Sequence, residues 1–549
     1  MKIQELIKKQ EAVWEEARER QVLDRESFWY GTYDINDRYA PSDLLVQGLP
    51  LYTNRESKYY KDANLLQRLG LCMEFILKFQ LPDGLISLPD CNIDSPPDTG
   101  FLINDLSICY FFIEQAGMPE LAPLQGQIKL FLQKTIPGML TGGFHTANHR
   151  WVMACALGFL YRIFGDGRLK ARAFAFLAEG FDVNDAGEWA ERSNVIYNAV
   201  SDLYAFHIGE TFGVEEAYGA VRRNLEMMRY MFHPEFYIAT EYSTRQDRGT
   251  RARMDSRYTI VFLLMSVMDR NPQYAFLAEK ALEYAPTFGL LLLYAGVYGS
   301  RILDTPEPKA VSDCYTVLLN GTKRTDVPKK YSENGDAVLR HRNGKLSVTV
   351  MAGQPDFLFL QYGKARAFGI KLPIGWFGMG GISFPGIERI DADTYRMYTP
   401  VRGKYWQVFD ADFAKRYNGN FIGMPNQERE DINRVETEAE VKITLQKNGL
   451  DLDIRIDKLP MIFAQLVCML DLEGTVSGDT VRLEQGVIAL QSGRAVYECD
   501  GDCIEITGMG GGHRFPVLRG DTLNPCAQNL VVNAVSPSAW HIEFRCYER

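Results

Sequence analysis

Apolar residues recur with helical spacing along the first three hundred positions. Segments such as "DANLLQRLGLCMEFILKFQ" (62–80), "FLINDLSICYFFIEQAG" (101–117), "NHRWVMACALGFLYRIFG" (148–165), "SNVIYNAVSDLYAFHIGETFG" (193–213) and "SRYTIVFLLMSVMDRN" (256–271) have helical length. Gly, Pro and Asp stops separate them: "LPDG", "SPPDTG", "GDGR" and "NDAG". The pattern predicts roughly eleven or twelve helices. From about residue 310 the period changes to alternation. "AVLRHRNGKLSVTV", "VKITLQKNGLDLDIRI" and "AVYECDGDCIEIT" each carry an Asn-Gly or Asp-Gly pair between alternating runs, which predicts two-residue hairpins with both turn residues at positive φ. Residues 1–303 therefore read as an α domain and 310–549 as an antiparallel β-sandwich, with "TPEPKAVSD" as linker.

A faint repeat runs through the helical half. Asn104, Asn148 and Asn194 are 44 and 46 residues apart, each at or near a predicted helix start where a short polar side chain caps free N–H groups. Units of that length, each a helix pair, predict an (α/α)6 toroid in which the inner helices are apolar all round. In such a ring their N-termini meet at one mouth. The polar trio Asn148, His149 and Arg150, at the head of a nearly all-apolar helix, falls there.

Size and composition narrow the function. At 549 residues the chain is long enough for two large domains. A net charge of −10 argues against nucleic acid as partner but leaves an acidic small substrate open, since local arginines act within a negative envelope. The charged N-terminus lacks signal-peptide character, and no uncharged run reaches membrane-spanning length. Ten scattered cysteines fit a reducing compartment, so a cytoplasmic location without membrane attachment is expected. No metal or cofactor is expected: His145 and His149 stand four apart but lack a His-Glu-x-x-His context, and Cys499 and Cys503 flank a hairpin turn without a second pair.

The candidate chemistry sits at the predicted mouth. "NDAGEWAERSNVIYNAV" (184–200) opens the inner helix after the one begun by Asn148 and brings in Tyr197. A tyrosine and a histidine facing one pocket suit proton removal and return, and an adjacent amide suits stabilisation of an enolate. With "NH" opening one inner helix and Gly187, Glu191 and Tyr197 following in order, the chain resembles the heparinase II/III-like and related alginate lyases, which are (α/α)-toroid polysaccharide lyases. The resemblance covers roughly 60–300 well and the sandwich in outline. It implies Asn148 as the carboxylate-neutralising amide and His149 and Tyr197 as the catalytic pair. The implied reaction is β-elimination across C4–C5 of a uronic acid in an acidic oligo- or polysaccharide. The layout is similar to the intracellular or exo-acting side of that group, including lyases that release rhamnose next to glucuronate. The family's sandwich histidine has no counterpart in "DFLFLQYGKARAFGIKLPIGWFGMGG"; His341 and His513 are the nearest substitutes.

Around this centre the sequence offers substrate-binding candidates. "EYSTRQDRGTRARMDSRY" (241–258) holds Arg245 and Arg248, whose planar guanidinium suits a carboxylate. Asp98 and Glu191 are placed to meet sugar hydroxyls, and Trp151, Trp189 and Trp376 to stack on sugar faces. Two other classes remain open at this level. An (α/α)6 glycoside hydrolase needs a carboxylate pair, for which Asp98, Asp105, Glu191 and Asp247 are candidates. A non-catalytic sugar-binding protein needs neither.

Overall fold

The computed structural model describes residues 3–33, 42–320 and 337–549. Two compact units emerge, Met1–Phe232 with Phe236–Val311, and His233–Glu235 with Ser312–Arg549.

The first unit is a closed ring of helix pairs. Its inner helices are α2 (Asp43–Thr53), α4 (Pro96–Ala116), α6 (Ala147–Phe164), α8 (Tyr197–Phe212), α10 (Ser256–Met268) and α12 (Gly289–Tyr298). Each packs on the next, and α12 returns to α2 and α4. The outer helices are α1 (Ile3–Arg20), α3 (Ala63–Lys78), α5 (Ala122–Thr141), α7 (Gly167–Leu177), α9 (Glu215–Met228) and α11 (Pro272–Glu283), with a short α13 (Ser300–Leu303) after the last inner helix. This is the (α/α)6 toroid that the repeat predicted. A helix enclosed by other helices has no solvent face to keep polar, so thirteen consecutive residues of α6, Asn148–Leu160, are buried. Outer α9, by contrast, buries one stripe and leaves charges outside.

Three details depart from the sequence reading. A small hairpin, β1 (Ile86–Leu88) and β2 (Asn92–Ser95), interrupts the helical unit before α4. The asparagine repeat is not a capping repeat. Asn104 lies inside α4 and donates to the Val152 carbonyl, and Asn194 precedes α8 and donates to Ala239 O and Tyr242 Oη. Asn148 is the second residue of α6. Trp151 and Trp189 are core side chains, not sugar platforms. Both are almost fully enclosed, and their indole N–H groups donate to Asp182 and Asp202.

The C-terminal turns of α4, α6, α8 and α12 line a cavity of about 200 Å³ bounded by Phe111, Arg162, Glu210, Tyr298 and Arg301. Buried His207 links two of these helices. The Tyr298 hydroxyl donates to Glu210 (2.5 Å), so it accepts from His207 Nδ1 (3.1 Å), and Nε2 is left to accept from Tyr294 (2.7 Å). Burial alone would raise Glu210, but His207, Tyr298 and Arg301 outweigh it and hold the carboxyl at about 2. Shared C-terminal ends mean that these inner helices run parallel.

Among the described residues, the strands of the second unit pair antiparallel except for one short parallel pairing. One row runs β10 (Glu388–Arg389), β11 (Thr394–Trp406), β12 (Asp431–Gln446), β13 (Gly449–Ile456), β19 (Ser538–Glu548), β17 (Asp502–Met509), β16 (Ile488–Cys499), β15 (Thr475–Arg482). A second row runs β3 (Cys314–Leu319), β4 (Val338–Asn343), β5 (Leu346–Met351), β6 (Asp356–Tyr362), β7 (Ala365–Lys371), β14 (Phe463–Leu470), β18 (Gln528–Val535). β16 and β18 join them in parallel, and one apolar core draws residues from both rows. Only Asp500-Gly501 forms the expected turn with both residues at positive φ (49° and 83°). In the other two hairpins the turn slips by one residue, to Gly344-Lys345 and Lys447-Asn448, because Asn343 pairs with Leu346 and Gln446 with Gly449.

Gly187 sits in the turn that leads from α7 toward α8. Its φ is +91°, and a Cβ there would lie 2.1 Å from the Arg223 carbonyl oxygen. Gly187→Ala is therefore expected to destabilise the protein by about 2 kcal/mol or more, read by chemical denaturation. Wild-type stability in that variant would remove the turn from the list of constraints on residues 188–197.

Candidate active site

The first turn of α6 divides its polar trio between structure and chemistry. Arg150 is a brace: it pairs with Glu179 (3.2 Å) and Asp182 (2.9 Å) beyond the end of α7. Asn148 and His149 point to a different set of partners.

Asn148 is 2% exposed, and Glu191 holds it. Its Nδ2 lies 2.9 and 2.8 Å from the two Glu191 oxygens, and its backbone N–H donates to Oε1 at 3.1 Å. A backbone donor of the helix start, which has no partner within the helix, is thereby satisfied by a carboxylate from the next helix connection. The amide is fixed in orientation, since an ionised carboxylate only accepts. Oδ1 is left buried without a hydrogen-bond partner.

Glu191 also meets Arg245, whose Nε lies 3.9 Å from Oε2. The Arg245 guanidinium in turn stands over the Tyr197 ring, 5.1 Å from its centroid. Gln246 completes the chain by donating to Tyr197 Oη at 2.7 Å. Asn148, Glu191, Arg245, Tyr197 and Gln246 thus form one connected cluster, built from the start of α6, the start of α8 and the loop before α10.

His149 lies beside this cluster. Its ring meets His145 edge-on at 4.7 Å and Phe101 of α4 at 6.2 Å, and its Nδ1 is buried without a hydrogen-bond partner. Burial, then the neighbouring His145 charge, with Arg245 adding to them against the pull of Asp98, pushes the imidazole down to about 4. The ring is neutral at pH 7.

The loop carrying Arg245 and Gln246 is stapled to the segment before α8. Buried Asp247 accepts from Ser243 Oγ (2.5 Å) and from the Val195 N–H (3.2 Å). Thr244 Oγ1 donates to Glu191 O (2.7 Å), and its N–H to Arg192 O (3.2 Å). An exposed turn is thereby made rigid from beneath.

The remaining candidates fall elsewhere. Asp98 completes a capping arrangement at the start of α4, taking Ser95 Oγ and Asn92 Nδ2 on its Oδ2. It reaches His149 through charge alone. Arg248 is exposed, and its backbone N–H bonds Arg245 O. Trp376 belongs to the second unit, where it is 6% exposed in the apolar core. His341 bonds Thr316 Oγ1 and His513 bonds Ala464 O within that same unit. The sequence reading passed over Gln246. It lies next to Arg245 in the arginine-rich stretch, where charge alone was weighed.

No family model matches the sequence, and no curated protein matches it. Solved structures do match in fold. The chain is similar to heparinase III, with a TM-score of 0.54 at 10% identity over 99% of this chain and 91% of that one. It is also similar to Paenibacillus xanthan lyase, with a TM-score of 0.53 at 7% identity over 99% of this chain and 57% of that one. The chain has the toroid-plus-sandwich fold of these polysaccharide lyases.

The depressed His149 fixes the sign of one pH effect. The folded state binds this proton more weakly than the unfolded chain, whose histidines titrate near 6.5, so its contribution to stability is complete above that pH and is lost as pH falls toward 4. His149→Gln is expected to flatten the stability profile between pH 6.5 and 4 in denaturation curves. An unchanged slope would show that the ring titrates normally.

Proposed function

We propose that the protein is a polysaccharide or oligosaccharide lyase that cleaves the bond at C4 of a uronic acid by β-elimination. The observation that carries this reading is the connected cluster of Asn148, Glu191, Arg245 and Tyr197, with neutral His149 beside it. The shared fold with heparinase III and xanthan lyase supports it.

The chemistry sets three demands. The C5–H next to a carboxylate is feebly acidic, so the carboxylate charge has to be offset before a base can act. The base then takes the C5 proton, the C5–H electrons form the C4=C5 double bond, and the C4–O4 electrons leave on oxygen. That oxygen takes a proton in turn.

Arg245 meets the first demand, because a carboxylate needs donors and its side chain is one-third exposed. Asn148, whose Nδ2 is shared with Glu191, offers that amide N–H to the same substrate carboxylate beside Arg245. His149, neutral at pH 7 and lined by Phe101, takes the C5 proton; an arriving carboxylate raises its basicity. Tyr197 delivers the proton to O4. Glu191 acts through Asn148 and Arg245 as a positioning residue, and exposed Arg248 is a further cation for an acidic glycan.

The carboxylates that a glycoside hydrolase would use are engaged in the fold. Glu191 is bound by Asn148, Asp247 by Ser243 and Val195, Asp98 by Ser95 and Asn92, and Asp105 by Ser42. The substrate class proposed is therefore a uronate-containing glycan, including rhamnose-capped glucuronate.

The test is ultraviolet absorbance of the protein incubated with a panel of uronate glycans, reading the conjugated alkene of the unsaturated product. Tyr197→Phe and His149→Ala are expected to lower the rate by about 10²-fold or more each. New reducing ends without that absorbance would make the protein a hydrolase, and bound glycan without either product would make it a binding protein.

A further inference from the structure

The 2.7 Å contact between Gln246 and Tyr197 has a direction. A phenolic oxygen carries one hydrogen and two lone pairs. If the Gln246 amide N–H occupies a lone pair, the Tyr197 hydrogen cannot point back along that line and is turned away from the loop.

Side chains as exposed as Gln246 ordinarily wander, and a hydrogen bond between two of them is weakly held. Here the turn beneath is pinned at three points, Val195 N–H on the Asp247 carboxylate and Thr244 on the carbonyls of Glu191 and Arg192, while Ser243 Oγ braces Asp247 from within the turn. The segment it is pinned to, residues 191–195, leads directly into Tyr197, the first residue of α8, whose N–H bonds Ser193 Oγ. Donor and acceptor are therefore carried by one rigid body, with no relative motion to order on binding.

We propose that Gln246 is a positioning residue for Tyr197, an amide donor that fixes the direction in which the tyrosine releases its proton. This rests on the reading of Tyr197 as the proton donor to O4. In that step Oη gives one proton to O4 as the C4–O4 electrons pass to oxygen, and the amide N–H meets the charge that develops on Oη.

Three variants test it: Gln246→Leu, which removes the hydrogen bond, Gln246→Glu, whose ionised carboxylate only accepts and pulls the tyrosine hydrogen toward the loop, and Tyr197→Phe. The first readout needs no substrate. In protein labelled with 13C at tyrosine Cζ, the Tyr197 signal is assigned by its loss in Tyr197→Phe. It is expected to move in Gln246→Leu and further in the same sense in Gln246→Glu. An unmoved signal in both overturns the hydrogen bond. A signal that moves in Gln246→Leu and stays in Gln246→Glu makes Gln246 an acceptor, which overturns the proposed direction.

The second readout is kinetics on a uronate glycan that the wild type cleaves. The turnover number is expected to fall roughly 10-fold in Gln246→Leu and roughly 10²-fold in Gln246→Glu, with KM unchanged and the same melting temperature. A raised KM with unchanged turnover would make Gln246 a substrate contact and overturn the proposal. Full activity in Tyr197→Phe would instead sink the assignment of Tyr197, while the spectroscopic result on Gln246 stands on its own.

Discussion

The geometry of the site depends on one buried carboxylate. Glu191 is enclosed, and an enclosed charge persists only where donors surround it. Asn148 supplies them twice, from its amide and its backbone, and Arg245 stands on the far side. Removing Glu191 would leave the start of α6 without a partner for its N–H and Arg245 without a counter-charge. The start of α6, the approach to α8 and the loop before α10 are registered against one another through this group.

The opposite end of the ring uses the same device with different residues. Glu210 is held by Tyr298 and Arg301 beside neutral His207, again tying the end of one inner helix to another. Each end of the toroid thus has an acid, buried at Glu191 and partly buried at Glu210, that links neighbouring elements. Between the two ends α6 and α8 carry long buried runs, mostly apolar, with a few buried polar groups such as Asp202 tied by hydrogen bonds.

Much of this was legible in sequence where a physical rule acts locally. Helical spacing followed by alternation divided the chain into an α part and a β part, and the 44- and 46-residue spacing of Asn104, Asn148 and Asn194 pointed to the ring. Asn148, Glu191, Tyr197 and Arg245 were singled out from order and residue type, and the structure brings them into contact. What was not legible depended on neighbours distant in the chain. The repeated asparagines looked like caps, but Asn104 and Asn194 reach across to other segments. Trp151 and Trp189 looked like platforms because a sequence does not say which face a ring turns to. Two hairpins slipped by one residue because strand register, set by the core-facing alternation, overrode the turn preference of Asn-Gly. Gln246 carried no charge and no motif, so its position beside a tyrosine came only from the pinning of its loop.

The parallel run of the inner helices has an electrical consequence. Every peptide unit in α4, α6 and α8 points its dipole the same way, and each helix presents roughly half a positive charge at its start. At the cavity end the same helices present their negative poles, where Arg162 and Arg301 stand. The outer helices run the opposite way and offset this over the ring as a whole, so the effect is local: the starts of the inner helices make the Asn148 end positive at close range. A chain of net charge −10 repels anions at a distance. Within a few ångströms of that mouth the sign of the field reverses.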